Sequence, residues 1–299
     1  MNAGMTHAEM TAKIRNGHGF IAALDQSGGS TPGALKAYGV GADAFSNDEE
    51  MYGLIHAMRT RIITSPSFNG DKVLGAILFE RTMDGEADGK PVPQALLDRG
   101  VLPFLKVDKG LEEAADGVKL MKPMPGLDAL LARAKAKGVV GTKMRSVIDL
   151  ANPAGIAAIV AQQFEVANRI IDAGLMPIIE PEVSIGSPER AAAEAILLAE
   201  LVRALDAQGE GREVMLKLTI PKIPDLYAPL VDHPRVARVV ALSGGFTRHQ
   251  ACVELNNNRG MIASFSRALL SDLRADMSDE QFDAALGTAI DQIRTASAS

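Results

Sequence analysis

Eight short apolar runs recur along the chain, and this repetition limits the fold more than any other feature. The runs are Phe20–Leu24, Val73–Phe79, Val101–Val107, Val139–Met144, Met176–Ile179, Val214–Leu218, Val239–Leu242 and Met261–Phe265. Most are continuous rather than alternating, which is typical of strands covered on both faces. Segments with helical periodicity separate them. The pattern therefore predicts an α/β fold, a closed parallel (β/α)8 or TIM barrel.

The segments between the runs contain recognisable helix signals. Gly155–Ala173 and Pro188–Ala207 carry apolar residues at spacings of three and four. Asn152 and Ser187 each precede a proline, which predicts an N-cap followed by a first-turn proline.

The long first crossover predicts a helix over Asn47–Thr64 and then an exposed loop over Ser65–Asp71. There is no linker and no shift in composition, so we expect one domain over residues 1–299. The ends, Met1–Thr6 and Thr295–Ser299, are expected to be mobile.

Composition excludes several classes of function. The chain has 299 residues, 47% of them apolar, and a net charge of −6 without a basic block, which argues against nucleic-acid and membrane partners. Cys252 is the one cysteine, so no intramolecular disulfide can form. The N-terminus has no apolar signal-peptide core, and a cytoplasmic location is expected. Whether the chain forms a homo-oligomer stays open.

Polar side chains lie in or directly after most of the runs, where the carboxyl ends of barrel strands would share one mouth. In chain order they are Asp25, Ser27, Ser30, Lys106, Lys143, Arg145, Glu180, Glu182, Lys217, Ser243, Gly244, Ser264 and Arg267. One ionisable residue at a strand end usually forms a structural ion pair or is solvated. So many around one mouth predict an active site.

Lys217 gives the strongest single indication, because it lies in the otherwise apolar run Val214–Leu218. Burial and nearby cations both favour the neutral amine there, and a neutral amine is what attack on a carbonyl requires. The alternative is a lysine that only pairs with Glu180 or Glu182. Those two glutamates would point the same way in a continuing strand, so one could act as acid and the other as base, or one could merely orient Lys143.

Two Ser-Gly-Gly clusters are suited to anions, since glycine lets backbone N–H groups approach a phosphate. Ser243-Gly244-Gly245 with Arg267 predicts one phosphate site, and Ser27 and Ser30 with Lys106 predict another. Tight turns use the same residues. We expect the clusters at opposite sides of the mouth, which would fit a substrate phosphorylated at both ends.

The histidines give no sign of a catalytic metal. They are His7, His18, His56, His233 and His249, and no two share a ligand-like spacing. A zinc site normally needs three protein ligands, usually including His or Cys. We therefore expect no metal and no other cofactor.

At these positions the chain resembles class I fructose-bisphosphate aldolase in its shorter bacterial form. The matching segments are Ala22–Ser30, Lys106–Gly110, Lys143–Arg145, Ile179–Glu182, Met215–Lys217, Leu242–Gly245 and Phe265–Leu269. Each is weak alone, but together they follow the family's order from residue 22 to residue 269.

The resemblance implies a role for each catalytic residue. Lys217 would form an imine with C2 of the ketose, and Glu180 would be the acid and base that builds and hydrolyses it. Lys143 would assist carbinolamine formation with Glu182 as its carboxylate neighbour. Asp25 would take the C4 hydroxyl proton during C3–C4 cleavage.

The resemblance also implies binding roles and a reaction. Ser243, Gly244, Ser264 and Arg267 would hold the phosphate on C1, Ser27, Ser30 and Lys106 would hold that on C6, and Arg145 would be a further active-site arginine. The reaction would be reversible cleavage of fructose 1,6-bisphosphate to dihydroxyacetone phosphate and glyceraldehyde 3-phosphate, in glycolysis or gluconeogenesis.

One departure and two alternatives accompany the resemblance. The longer enzymes end in a tyrosine that exchanges the C3 proton, whereas the tyrosines here are Tyr38, Tyr52 and Tyr227, so the group that protonates the enamine stays open. One alternative is another Schiff-base barrel lyase, of the transaldolase or deoxyribose-phosphate type, which needs only one phosphate site. The other is a silent barrel, which would be expected to lack Lys217 or its partners.

Overall fold

The computed structural model describes residues 6–298, so the predicted mobility of Met1–Met5 and of Ser299 falls outside the described residues. Eight parallel strands form the barrel: β1 (Phe20–Leu24), β2 (Val73–Leu78), β3 (Leu102–Lys106), β4 (Gly141–Ile148), β5 (Met176–Val183), β6 (Val214–Thr219), β7 (Val236–Leu242) and β8 (Ile262–Ala263). They pair in chain order. The Ala23 N–H then donates to Phe265 O at 3.0 Å and links β1 to the end of β8. The predicted barrel is confirmed, with this seam nearly closed.

The helices of the described chain surround the strands. They are α1 (His7–Asn16), α2 (Thr31–Ala37), α3 (Asp48–Thr64), α4 (Glu80–Asp84), α5 (Val92–Asp98), α6 (Leu127–Ala136), α7 (Pro153–Asp172), α8 (Arg190–Asp206), α9 (Ala228–Val231), α10 (Arg248–Leu255), α11 (Arg267–Leu270) and α12 (Asp279–Ala296). Among the helices of residues 6–298, none combines the length and the hydrophobicity that a bilayer span requires.

Towards the amino ends of the strands, the barrel interior is a packed apolar core. The Phe104 ring is fully buried there, and a Cβ at Gly75 or Gly141 would lie only 2.8 or 2.7 Å from it. These two positions therefore need glycine. Helix α1 covers this end, where Ile14 is buried and Arg238 Nε donates to the Ile14 carbonyl at 2.9 Å. The open end of the barrel is thus the one formed by the carboxyl ends of the strands.

Two strands extend four residues beyond the apolar runs that predicted them. β4 continues beyond Met144 to Ile148, and β5 continues beyond Ile179 to Val183. Backbone pairing carries on through these residues, with Arg145 beside Glu180 and Ile148 beside Val183. Polar side chains that face the mouth interrupt the apolar run without ending the strand.

One of the two predicted helix N-caps is confirmed and the other is wrong. Asn152 caps α7, with Oδ1 accepting from the Gly155 N–H at 3.1 Å. Ser187 does not cap α8, which begins at Arg190 after Glu189. The Ser187 hydroxyl instead accepts from the Glu189 N–H at 3.2 Å, so this serine stabilises a turn before the helix.

The loop over Ser65–Asp71 is irregular, as predicted, but the prediction that it is exposed is wrong. Phe68 is fully buried, and Arg99 Nε donates to its carbonyl at 3.1 Å. Asp283 of α12 accepts from the Ser67 N–H at 2.8 Å. Polar contacts from two helices hold the loop against the bottom of the barrel.

The predicted mobility of Thr295–Ser299 is also wrong for its first residues. Helix α12 extends to Ala296, and the buried Ser297 hydroxyl accepts from the Ala263 N–H at 3.0 Å. The end of this helix therefore anchors β8, which has only a short ladder with β7.

Candidate active site

A cavity of about 940 Å³ opens at the carboxyl ends of the strands. The thirteen residues predicted from the sequence all line it: Asp25, Ser27, Ser30, Lys106, Lys143, Arg145, Glu180, Glu182, Lys217, Ser243, Gly244, Ser264 and Arg267. Barrel topology brings these separate strand ends to one place.

Glu180 lies at the centre of a buried cluster of charges. Its Oε1 is 3.1 Å from Lys217 Nζ, and its Oε2 is 3.2 Å from Lys143 Nζ. The Oε2 contact is ionic and lacks hydrogen-bond geometry, so within the described chain this oxygen keeps an acceptor position free. Behind the cluster, the Glu180 N–H donates to Gln163 Oε1 at 3.0 Å, and Gln163 Nε2 donates to Ser146 Oγ at 3.0 Å. Helix α7 thereby ties β4 to β5 directly under the glutamate.

Lys143 is held as an ammonium ion between two carboxylates. Its Nζ lies 2.6 Å from Asp25 Oδ2 as well as next to Glu180, and the side chain is only 4% exposed. Burial opposes the charge, but Asp25, Glu180 and Asp108 together raise the pKa of Lys143 above its ordinary value of 10.5. This lysine can donate hydrogen bonds but is a poor nucleophile.

Asp25 is held as a carboxylate by the same lysines. Burial favours its neutral form, but Lys143, Lys217 and Lys106 outweigh burial and lower its pKa from 3.8 to about 2. Each positive charge that disappears from this cluster would therefore make Asp25 a stronger base.

The two buried lysines of this cluster, Lys143 and Lys217, differ in their contacts with carboxylates. Lys143 contacts two carboxylates, whereas Lys217 contacts one oxygen of a carboxylate that it shares with Lys143. Lys143 is thus held between two carboxylates, whereas the Lys217 amine has one such contact and is the less restrained of the two at the wall of the cavity.

Glu182 is not the neighbour of Lys143 that the sequence led us to expect. Its Oε2 accepts from Arg145 Nε at 2.5 Å. The register of β4 and β5 explains this, because Arg145 lies beside Glu180 and Glu182 beside Val147, on the far side of Arg145 from Lys143. Asp25 takes the place next to Lys143 instead.

Lys106, which was predicted to bind a phosphate, is paired with a carboxylate in this structure. Its Nζ lies 2.7 Å from Asp108 Oδ1 and donates to the Asp108 carbonyl at 3.0 Å. Asp108 is buried, and its other carboxylate oxygen accepts from the Arg145 N–H at 3.3 Å. Sequence reasoning assigned Asp108 no role, although it lies in the matching segment Lys106–Gly110.

The turn after β7 suits a close approach of backbone to a ligand. Gly244 has a φ of 59°, and a Cβ there would lie 2.7 Å from Ile185 Cγ2. The first turn of α10 already has the Thr247–Gln250 capping box, so an anion here would rely on Ser243, Gly244 and Arg267 rather than on that helix. Ser264 is buried beside them, and its hydroxyl has no hydrogen-bond partner within residues 6–298.

The first Ser-Gly-Gly cluster forms a 3₁₀ turn over Gly28–Ser30 that leads into α2. The expectation that the two clusters lie at opposite sides of the mouth is wrong. Barrel closure makes β1 the neighbour of β8, so only β8 separates the loops after β1 and β7. Gln26 Nε2 donates to Ser266 Oγ at 2.5 Å across this seam.

Further residues line the cavity that sequence reasoning passed over. They include Gln26, Tyr38, Asp108, Ser266 and Arg274. Gln26 and Ser266 lie next to predicted site residues, in the matching segments Ala22–Ser30 and Phe265–Leu269, but were assigned no role. Tyr38 and Arg274 lie outside the strand ends, and no sequence pattern marked them. Within the described chain no three His, Cys, Asp or Glu side chains are grouped so that they could hold a metal ion.

Comparison with known proteins agrees with this geometry. Over residues 7–221 the chain matches the sequence model of the family described as fructose-bisphosphate aldolase class-I. Among solved structures it is similar to fructose-bisphosphate aldolase from Plasmodium falciparum, crystallised with TRAP and a small-molecule inhibitor. The TM-score is 0.79 at 22% identity, covering 97% of this chain and 93% of that one. A Corynebacterium glutamicum protein is similar more distantly, with a TM-score of 0.53 at 14% identity, covering 96% of this chain and 91% of the other.

The barrel and the family match together define a TIM-barrel enzyme of the aldolase type, which is a carbon–carbon lyase. The chain belongs to the class I fructose-bisphosphate aldolase family, because the family match covers more than half of its length.

The charge cluster predicts a pH-dependent contribution of Asp25 to stability. We expect Asp25→Asn to lower the free energy of unfolding by roughly 3 kcal/mol near neutral pH, because it leaves the buried Lys143 in contact with Glu180 as its one remaining carboxylate among the described residues. Since the pKa of Asp25 falls from 3.8 to about 2 on folding, this contribution is present above pH 3.8 and is lost as the pH falls towards about 2.

Denaturant unfolding of both proteins at several pH values measures the difference. Glu49→Gln, which removes an exposed partner of Arg81, is the control and should change stability by less than ~1 kcal/mol at every pH. A difference for Asp25→Asn that stayed constant down to the acid limit would contradict the assignment.

Proposed function

We propose that this protein reversibly cleaves fructose 1,6-bisphosphate to dihydroxyacetone phosphate and glyceraldehyde 3-phosphate through an imine on Lys217. The observation that carries the proposal is the sharing of Glu180 between Lys217 at 3.1 Å and the ammonium of Lys143 at 3.2 Å. The proposed setting is cytoplasmic glycolysis or gluconeogenesis, where both triose phosphates are consumed and formed.

In the first step the neutral amine of Lys217 attacks C2 of the ketose. Glu180 is placed to take the proton that the nitrogen loses and to return a proton to the departing C2 hydroxyl, which leaves as water. Lys143 lies on the other side of Glu180 and would hydrogen-bond the C2 oxygen while negative charge develops on it, then protonate it to the hydroxyl and recover that proton when the imine is hydrolysed. The product is a protonated imine on Lys217.

In the second step the C3–C4 bond breaks. Its electron pair moves to C3 and forms a neutral enamine, so the positive charge on the imine nitrogen disappears. The C4 hydroxyl gives its proton to Asp25, and glyceraldehyde 3-phosphate leaves. Lys217 is one of the charges that hold the pKa of Asp25 at about 2, so loss of that charge strengthens Asp25 as a base at the moment when it is needed.

The two phosphates would bind to two separate groups of residues at the mouth. The Gly244 turn, Arg267 and the buried hydroxyl of Ser264, which has no hydrogen-bond partner within residues 6–298, support a site for the C1 phosphate. Ser27 and Ser30 with Lys106 are proposed for the C6 phosphate. Because Lys106 is paired with Asp108 at 2.7 Å, it would have to exchange that carboxylate for the phosphate.

The proposed roles of Glu180 and Asp25 predict failure at different steps. Glu180→Gln and Asp25→Asn should each lower turnover by at least ~100-fold, the usual scale for general acid–base groups. Borohydride reduction during turnover should trap a hexose adduct on Asp25→Asn, which forms the imine but cannot cleave. Glu180→Gln should yield little adduct. The reverse pattern, in variants shown to be folded by circular dichroism, would mean that the two roles are exchanged.

The phosphate assignment predicts a split between substrates. Arg267→Ala should impair fructose 1,6-bisphosphate and fructose 1-phosphate alike, because both carry the C1 phosphate. Lys106→Ala should lower kcat/KM for the bisphosphate about ten- to hundredfold more than for fructose 1-phosphate, the scale of one charge-assisted hydrogen bond. Steady-state kinetics on both ketoses measures this.

Lys119→Ala is a matched control, since that lysine pairs with Asp149 outside the cavity lining and should leave both substrates unaffected. If Lys106→Ala lowered kcat/KM equally for the two substrates, Lys106 would be assigned to the catalytic cluster. A lyase acting on a monophosphate would then be the better assignment.

A further inference from the structure

Arg59 is a buried cation beside the mouth to which the proposed reaction gives no role. It lies on α3 and is 1% exposed. Its Nη1 donates to Thr82 Oγ1 at 2.8 Å, and its Nη2 donates to the Gln26 carbonyl and lies 3.4 Å from Gln26 Oε1. Within the described residues no carboxylate is paired with it, so neutral oxygens alone hold this guanidinium.

Burying a charge in such a place carries a large desolvation penalty, and packing does not require a charged side chain there. Burial lowers the pKa of Arg59 from 12.5 to about 10, against the pull of Asp25 and Tyr52, so the group is still charged at neutral pH. An apolar side chain would fill the same volume without desolvation. What an apolar side chain could not do is hold both the backbone and the side chain of Gln26.

Gln26 is the link between two loops of the mouth. It follows Asp25 and precedes Ser27, and its Nε2 donates to Ser266 Oγ at 2.5 Å. Ser266 lies between Ser264 and Arg267. This contact crosses the barrel seam, where the Ala23–Phe265 hydrogen bond joins the backbones.

We infer that Arg59 is a positioning residue that, through Gln26, fixes the separation of the two phosphate-binding loops, residues 25–30 after β1 and residues 264–267 after β8. The inference rests on the proposed function. The two phosphates of the bisphosphate bind to both loops and need them at one distance, whereas the single phosphate of fructose 1-phosphate binds only to the second loop. If the loops are already held at that distance, no conformational entropy is lost in ordering them when the bisphosphate binds.

Steady-state kinetics of Arg59→Met and Gln26→Ala on both ketoses tests this. Each variant should raise KM for fructose 1,6-bisphosphate about tenfold, the scale of one charge-assisted hydrogen bond, and KM for fructose 1-phosphate less than about twofold. Any loss of kcat through Asp25 should be shared by the two substrates. The double variant should be no worse than the poorer single variant, because both changes break the same chain of contacts.

Two further variants separate positioning from simple destabilisation. Arg59→Lys keeps a charge that can reach the Gln26 carbonyl and should recover part of the KM for the bisphosphate. Arg99→Met removes an arginine that also binds backbone carbonyls, those of Thr64 and Phe68 at the closed end of the barrel. It should lower the melting temperature while leaving both KM values unchanged.

The outcomes distinguish this inference from the proposed function. An active wild-type protein whose Arg59→Met and Gln26→Ala variants show equal KM changes for the two ketoses, or additive effects, overturns the positioning role alone. Wild-type protein that cleaves neither ketose overturns the proposed function and this inference with it.

Discussion

The site depends on one carboxylate shared by two buried lysines. Glu180 is 3% exposed and lies between Lys143 and Lys217, whose side chains are 4% and 5% exposed. Such burial weakens solvent screening of the charges. The second carboxylate makes the surroundings of the two lysines different, because Asp25 pairs with Lys143 at 2.6 Å. The chemistry assigned to Lys217 follows from that asymmetry.

The barrel supplies what this arrangement requires. Its strands bring Asp25, Lys143, Glu180 and Lys217 from β1, β4, β5 and β6 to one mouth. Gln163 ties β4 to β5 beneath the glutamate, so buried hydrogen bonds fix the backbone that carries the shared carboxylate. The closed end, filled around Phe104 and covered by α1, leaves the upper end free to be polar. The hydrophobic core and the charged site are thus separated along the barrel axis.

Sequence reasoning found the barrel and its mouth because both depend on local patterns. A continuous apolar run marks a covered strand, and a lysine in such a run stands out, as Lys217 does. Sequence reasoning could not predict which side chains pair between strands. Glu182 binds Arg145 because of strand register and side-chain reach, which sequence spacing does not specify. Lys106 binds Asp108 only two residues along the chain, a contact that the spacing allowed but did not require. The two phosphate loops were expected far apart because the chain separates them, whereas closure makes the first and last strands neighbours. Arg59 carried no signal, since an arginine within a helix is usually solvated.

Mapping the imine tests the account most directly. The protein is incubated with dihydroxyacetone phosphate, reduced with borohydride and digested, and the modified peptide is identified by mass spectrometry. The account predicts a triose phosphate adduct on Lys217 and on no other lysine, and no adduct in a folded Lys217→Met variant. An adduct on Lys143 or Lys106 would show that the shared glutamate does not select the nucleophile, and the central claim would be wrong.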